Sequence, residues 1–229
     1  MAILLSIETA TSISSVALHR DGVLISKELN SVPQSTASQL AVMIQRLLKQ
    51  SQIQPRELGG IVVTSGPGSY TGLRIGVATA KGLCYALAIP LIAVNSLELM
   101  TRQAIELNSE SDVDWFCPML DARRMEVYCL LMNRAGDIVQ STHARVIDQN
   151  SFAEELKKYK IVFFGDGAEK CKQVIQSPKA LFLDGIHPTA EFLGYLGYGR
   201  WMNQQFENLG DFEPFYLKDF LIKKPNSVQ

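Results

Sequence analysis

The sequence is poor in the residues from which metal, redox and membrane chemistry are usually built. Among its 229 residues are four cysteines, Cys84, Cys117, Cys129 and Cys171, and no C-x-x-C pair. Neither a zinc site nor a disulfide framework is expected, and buried, reduced thiols are. The three histidines, His19, His143 and His187, are scattered, which suits surface or capping residues better than metal ligands. No spacing pairs a nucleophile with a base in a Ser-His-Asp or Cys-His arrangement. Charge of one sign is also missing. The formal net charge is -1, so the chain as a whole does not attract nucleic acid, and any contact with RNA needs a local basic patch or a partner. Long apolar runs are absent: the largely apolar, uncharged stretch 82–97 contains Pro90, falls short of the ~18–20 residues of a membrane span, and reads as core. The apolar residues 3–5 follow no basic segment and are soon interrupted by Glu8, so no leader peptide is expected and the cytoplasm is the expected location.

What is present is the composition of an ordinary globular chain, 47% hydrophobic and 20% charged, long enough to bury a core without staples. Residues 3–7 read as an apolar strand, and residues 15–19 and 24–29 flank the turn Arg20-Asp21-Gly22 as a hairpin. Between 35 and 50 the apolar residues Leu40, Ile44, Leu47 and Leu48 recur at helical spacing, and residues 60–64 read as a buried strand. The second half repeats this order, with strands at 115–120, 126–132 and 138–146, a helix at 151–159 and a strand at 161–164. Two lobes of one plan are expected, 1–105 and 106–229, divided near the polar segment 108–112, with the last segment packing back on the first lobe.

The segment Thr64-Ser65-Gly66-Pro67-Gly68-Ser69-Tyr70-Thr71-Gly72-Leu73-Arg74-Ile75-Gly76 looks like a phosphate loop entering a helix. A Walker loop requires a lysine after its last glycine, and Leu73 stands there; the dinucleotide spacing G-x-G-x-x-G is not met either. The simpler reading is a strand-to-helix turn in which Ser69 or Thr71 caps a helix beginning near Gly72. That helix carries two apolar faces. Small residues Gly72, Gly76, Thr79 and Ala80 with Leu83 form one, and Leu73, Val77, Cys84 and Ala88 form the other, while Arg74 and Lys81 share a polar edge. One face serves its own lobe; the other is covered by the 35–50 helix, by a partner subunit, or by both.

These residues resemble the signature of the TsaB (YeaZ) family, the non-catalytic partner in bacterial tRNA threonylcarbamoyladenosine synthesis. The resemblance extends to Ile7-Glu8-Thr9-Ala10-Thr11 with Ser15-Val16-Ala17-Leu18, to Leu120-Asp121-Ala122-Arg123-Arg124-x-Glu126-Val127-Tyr128, and to Pro214-x-Tyr216-Leu217, and so spans almost the whole chain. It implies an α/β, actin-like and sugar-kinase-like (ASKHA) fold of two duplicated lobes. It also implies a scaffold that binds a TsaD-like catalytic subunit, with a TsaE-like ATPase as a further partner and tRNA reached through the complex. In that pathway another enzyme makes the donor, a threonylcarbamoyl-adenylate. The family's catalytic relative carries a His-x-x-x-His metal pair on its first-lobe helix; here Gln34-Ser35-Thr36-Ala37-Ser38-Gln39 holds no histidine, so no catalytic metal is expected.

The expected partner face comprises Gly72, Arg74, Gly76, Thr79, Ala80 and Leu83, with Leu40 and Ile44 from the preceding helix. The same layer is expected to form a homodimer when the partner is absent. No cofactor of its own is expected, although Glu8, Gly165, Asp166 and Gly167 stand where relatives of this fold meet adenine nucleotide, which leaves room for weak binding. Glu8 replaces the aspartate that actin-like ATPases use for magnesium and phosphate. The simpler reading of Asp166 is a turn residue and the N-cap of a short helix. Asp121-Ala122-Arg123-Arg124 fits an anion site, a partner contact or a salt-bridged turn. The rival function is an active ATP-dependent phosphotransferase or carbamoyltransferase using the cleft between the lobes.

Overall fold

Strand β1 (Ile3–Glu8) is buried along its whole length because its two faces serve two layers: Ile3, Leu5 and Ile7 enter one core and Leu4 another. The computed structural model describes residues 2–32, 34–107 and 112–218. β1 pairs antiparallel with β2 (Ser14–Arg20), which pairs with β3 (Val23–Asn30). On its other side β1 runs parallel to β4 (Leu58–Gly66), itself parallel to β5 (Leu91–Asn95). The order is therefore β3-β2-β1-β4-β5.

Three helices belong to this sheet's stretch of chain: α1 (Thr36–Gln50), α2 (Tyr70–Leu87) and α3 (Ser96–Leu107). α1 buries Leu40, Met43, Ile44, Leu47 and Leu48, a stripe of i, i+3, i+4, i+7 and i+8 that covers one face of the sheet. α2 starts at the Ser69 cap, whose hydroxyl accepts from Gly72 N at 3.2 Å. It ends at Ala88, held in the left-handed region at φ 53°, immediately before Ile89 and Pro90.

The second half repeats the plan. β6 (Trp115–Asp121), β7 (Glu126–Asn133), β8 (Ile138–Val146), α4 (Ala153–Lys158), β9 (Ile161–Phe164), α5 (Ala168–Lys172), β10 (Ala180–Leu183) and α6 (Ala190–Met202) follow one another in the same sequence of types. The strand order β10-β9-β6-β7-β8 is that of the first sheet with the same pairing senses. This is the duplicated α/β topology of actin-like and sugar-kinase-like proteins.

The two sheets exchange their last helices. α3 supplies Leu97, Met100 and Ala104 to a core with Phe116, Leu120, Leu130, Val162 and Phe164 of the second sheet. α6 places Leu193, with Phe192, Leu196 and Trp201, on Leu4, Val62, Ile92 and Val94 of the first. Arg200 of α6 donates to Ala93 O and, at 3.0 Å, to Glu98 of α3, tying the exchanged helices together.

Several expectations are corrected. The uncharged run 82–97 is three things: the end of α2, β5 and the start of α3. Pro90 marks a stop, but nothing local reveals the left-handed Ala88 that precedes it. The helix expected at 151–159 is shorter because Phe152 takes φ 62° at its start. Of the polar segment 108–112, residues 108–111 lie outside the described residues.

Candidate functional site

The glycines of the 64–76 segment make room for the chain's own first turn. A Cβ at Gly68 would lie 2.3 Å from Ala10 O, one at Gly72 would lie 2.1 Å from Thr9 O, and one at Gly76 would lie 2.2 Å from Thr9 Oγ1. No real Cβ approaches so closely, so these glycines, four residues apart, let residues 9–10 lie directly on α2. Ser69 N donates to Ala10 O at 2.6 Å and seals the contact. The loop between β1 and β2 is thus packed down on the helix start, where a phosphate loop would have to stay open.

This packing corrects the expected partner face. Gly72, Gly76 and Ala80 are buried against the lobe's own strands and turn, and Leu40 and Ile44 belong to the core beneath α1. Arg74 is exposed, and Thr79 and Leu83 are half-buried. The surface of α2 lies one step around the helix, where Thr71, Arg74, Ala78, Gly82 and Tyr85 recur at intervals of three and four. Tyr85 is 83% exposed, and a Cβ at Gly82 would meet nothing within 4 Å.

The polar edge of α2 grips the end of the chain. Lys81 Nζ donates to Phe212 O at 2.9 Å and Gly210 O at 3.3 Å. Arg74 lies 4.2 Å from the Tyr70 ring centroid and donates to the Tyr216 hydroxyl at 3.3 Å. Phe215 N donates to Ser65 O at 2.7 Å, and Lys218 pairs with Glu126 of the second sheet. Residues 207–218 therefore form a strap from β5 across the glycine turn to β7.

Glu8 is fully buried. Its Oε1 accepts from Ala10 N at 2.7 Å and Thr64 Oγ1 at 3.3 Å, and its Oε2 has no partner. Burial outweighs these hydrogen bonds and pushes the carboxyl up to about 8, so at neutral pH it is mostly the uncharged acid. A neutral, enclosed carboxyl is poorly suited to holding magnesium.

Gly165 and Asp166 line, with Thr11 and Ser12, a cleft of about 250 Å³ between the lobes, whereas Gly167 packs against Leu120 and Val127. The charged side chains on its wall are Asp166, Glu169 and Asp184; no lysine or arginine lines it among the described residues. Asp166 does not cap α5: its Oδ1 accepts from Asp121 N at 3.0 Å. Asp121 pairs with Lys170, which also donates to Arg124 O and Glu126 O at 2.7 Å each. Partial burial works against the Asp121 charge, yet Lys170 and Arg123 N hold its carboxyl below the usual range. With Arg123 and Arg124 both in the left-handed region, 121–124 is a salt-bridged turn whose guanidiniums face solvent.

The histidines depart from expectation. His19 is fully buried with neither ring nitrogen hydrogen-bonded, His143 is half-buried beside Cys129, and His187 lines the cleft. Among the described residues, no group of three His, Cys, Asp or Glu side chains could hold a metal ion, and no helix is long and apolar enough to cross a membrane. All four cysteines are buried and free.

Residues 31–195 match the family model described as TsaD, tRNA N6-adenosine threonylcarbamoyltransferase. The tRNA threonylcarbamoyladenosine biosynthesis protein TsaB of Bacillus subtilis is 31% identical over 179 residues, which is 76% of this chain and 75% of that one. The chain belongs to the TsaB (YeaZ) family. TsaB of Escherichia coli is 34% identical over 125 residues, 55% of this chain and 52% of that one. A solved Pseudomonas aeruginosa protein described as similar to peptidase YEAZ superposes with a TM-score of 0.82 at 25% identity, covering 95% of this chain and all of that one.

For a TsaB-family chain, the features sequence reasoning missed are those made by distant segments. The two apolar faces of α2 were legible as spacing, but which of them turned inward depended on Thr9. Nothing local to Lys81 or Arg74 signals a strap 130 residues away. The Cys129–His143 contact joins neighbouring strands whose register only the sheet defines.

Proposed function

We propose that this TsaB-family chain is a non-catalytic partner subunit in threonylcarbamoyladenosine modification of tRNA, docking a TsaD-like catalytic subunit through the outer face of α2 and the adjoining exposed residues of α1. The observation that carries the reading is the two-faced α2. Its inner face is occupied by the chain's own Thr9 and Ala10. Its outer face leaves Ala78 and Gly82 between Arg74 and Tyr85, small residues that permit close helix approach flanked by residue types that anchor interfaces. Val42 of α1, 42% exposed, and Ala41 adjoin on the neighbouring helix. In this reading a TsaE-like ATPase joins the complex, tRNA is reached through the catalytic subunit, and the chain works in the cytoplasm. The same face pairs two copies when the partner is absent.

The reading assigns the chain no cofactor of its own. Glu8 is enclosed, no lysine follows the glycine turn, and a cleft walled by carboxylates repels phosphates, so adenine nucleotide binds weakly at most. The cleft between the lobes is what favours the rival, an ATP-dependent phosphotransferase or carbamoyltransferase, and turnover by the isolated protein separates the two. The docking test is a titration of a TsaD-like subunit with Gly82→Leu. Wedging a helix pair costs about 1–3 kcal/mol, or roughly five- to a hundred-fold in affinity. Unchanged affinity of a normally folded Gly82→Leu protein places the interface elsewhere.

A further inference from the structure

Three of the four cysteines gather beneath the second sheet, and they are not equivalent. The Cys171 thiol donates to Gly167 O at 3.1 Å, and outside this cluster Cys84 donates to Pro90 O at 3.5 Å. Burial pushes each up to about 11, so both remain thiols. Cys129 has a different neighbour. It sits directly opposite His143 across the β7–β8 ladder, with Sγ 3.7 Å from Nε2. His143 Nδ1 lies 2.8 Å from Ser141 O, so Nδ1 carries the hydrogen it donates to that carbonyl and leaves Nε2 to accept the thiol's proton. On the other side, Cys117 of β6 is the diagonal neighbour of Cys129 on the same sheet face, two residues from Met119, which stands opposite Cys129. The Cys117 thiol, first, and the His143 imidazole, second, draw Cys129 down to about 6. Arg145 of β8, its guanidinium over the Phe152 ring at 4.0 Å, adds positive charge nearby, and Cys171 of α5 is the remaining titratable neighbour.

We propose that Cys129, His143 and Cys117 form a peroxide-reactive thiol site, in which Cys129 attacks, His143 takes its proton and Cys117 resolves the product. In the first step the Cys129 thiolate attacks one oxygen of hydrogen peroxide; the O–O bond breaks, a sulfenic acid forms, and the departing hydroxide takes the imidazolium proton to leave as water. In the second, the Cys117 sulfur attacks the sulfenic sulfur. The S–O bond breaks, a second water leaves with the Cys117 proton, and a disulfide joins β6 to β7. Peroxide is reduced by two electrons and the two thiols supply them. Access comes from the sheet edge. β8 is the edge strand, and its ladder with β7 shifts register immediately after Cys129, so local opening there admits a small oxidant without unfolding the lobe.

The native full-length protein is treated with hydrogen peroxide at pH 7 and mapped by mass spectrometry. The expected product has lost two hydrogens, with the Cys117 and Cys129 peptides joined and Cys84 and Cys171 reduced. Cys117→Ala leaves a sulfenic acid at Cys129 that dimedone captures. His143→Gln slows oxidation of Cys129, because it removes the group that takes the thiol's proton and returns it to the departing hydroxide. Because the four thiols compete within one wild-type molecule, the map decides even where a variant folds poorly. Oxidation of Cys84 or Cys171 as fast as Cys129, or thiols that stay reduced until the chain unfolds, overturns the proposal.

Discussion

The Thr9 hydroxyl occupies the place where a side chain at Gly76 would begin: a Cβ there would lie 2.2 Å from Thr9 Oγ1. Gly76→Leu is therefore expected to lower the melting temperature, since overpacking costs about 1–3 kcal/mol and each kcal/mol is worth about 2–4 °C in a chain of this size. Gly82→Leu, on the open face of the same helix, is expected to melt at or above the wild-type temperature because it gains helix propensity without meeting a neighbour. Calorimetry of the pair checks this; equal destabilisation at both positions would contradict the assignment of inner and outer faces.

Glu8 makes stability fall as pH rises. Its folded value of about 8 lies above the ordinary 4.5, so between these pH values the folded state holds a proton that the unfolded state has lost. The loss begins near pH 4.5 and is complete just above pH 8, reaching on the order of 5 kcal/mol. Glu8→Gln cannot ionise, and its stability advantage over wild type is expected to grow from pH 5 to pH 8. Denaturant melts giving parallel pH profiles for the two proteins would refute it.

His19 acts in the opposite sense. Burial, only partly countered by Glu191, pushes its imidazole down to about 4 from the ordinary 6.5, so the unfolded state binds the extra proton within that window. Its contribution is complete above pH 6.5 and is lost as pH falls toward 4, by about 3 kcal/mol. Between 4.5 and 6.5 the Glu8 and His19 slopes oppose each other, and wild type should show little net dependence from this pair. His19→Leu is expected to uncover the Glu8 slope there; a pH profile unchanged by the substitution counts against a buried neutral imidazole.

Lys81 holds the strap through the carbonyls of Gly210 and Phe212. Lys81→Met keeps the aliphatic stem and removes both bonds, worth together about 1–3 kcal/mol locally. Faster amide exchange and protease cleavage within 207–218 are expected, with the melting temperature of the lobes nearly unchanged. A uniform rise in exchange across the chain would mean that the strap is part of the global fold rather than a local anchor.

Period and turn chemistry carried the element order of the first lobe. Apolar residues at Leu40, Ile44, Leu47 and Leu48 could only cover a sheet from a helix, Arg20-Asp21-Gly22 could only reverse a hairpin, and Ser69 capped the helix it precedes, because these are local preferences of a few residues. The same reading in the second half predicted the repeated plan, and the motif of residues 64–76 marked the family. At 82–97 locality failed in part: Pro90 signals a helix stop, but nothing local announces the left-handed Ala88 that turns the chain into a strand.

The amino-acid sequence by itself thus determined two α/β repeats of one order and a glycine turn without the lysine of a phosphate loop. Tertiary structure alone decided what that turn grips instead. Gly68, Gly72 and Gly76 are defined by residues 9–10, some sixty positions away, Glu8 is neutral because two strands and a loop enclose it, and α3 and α6 cover each other's sheets. Packing, desolvation and strand register are properties of surfaces brought together from distant parts of the chain, and no local pattern encodes which surface will meet which.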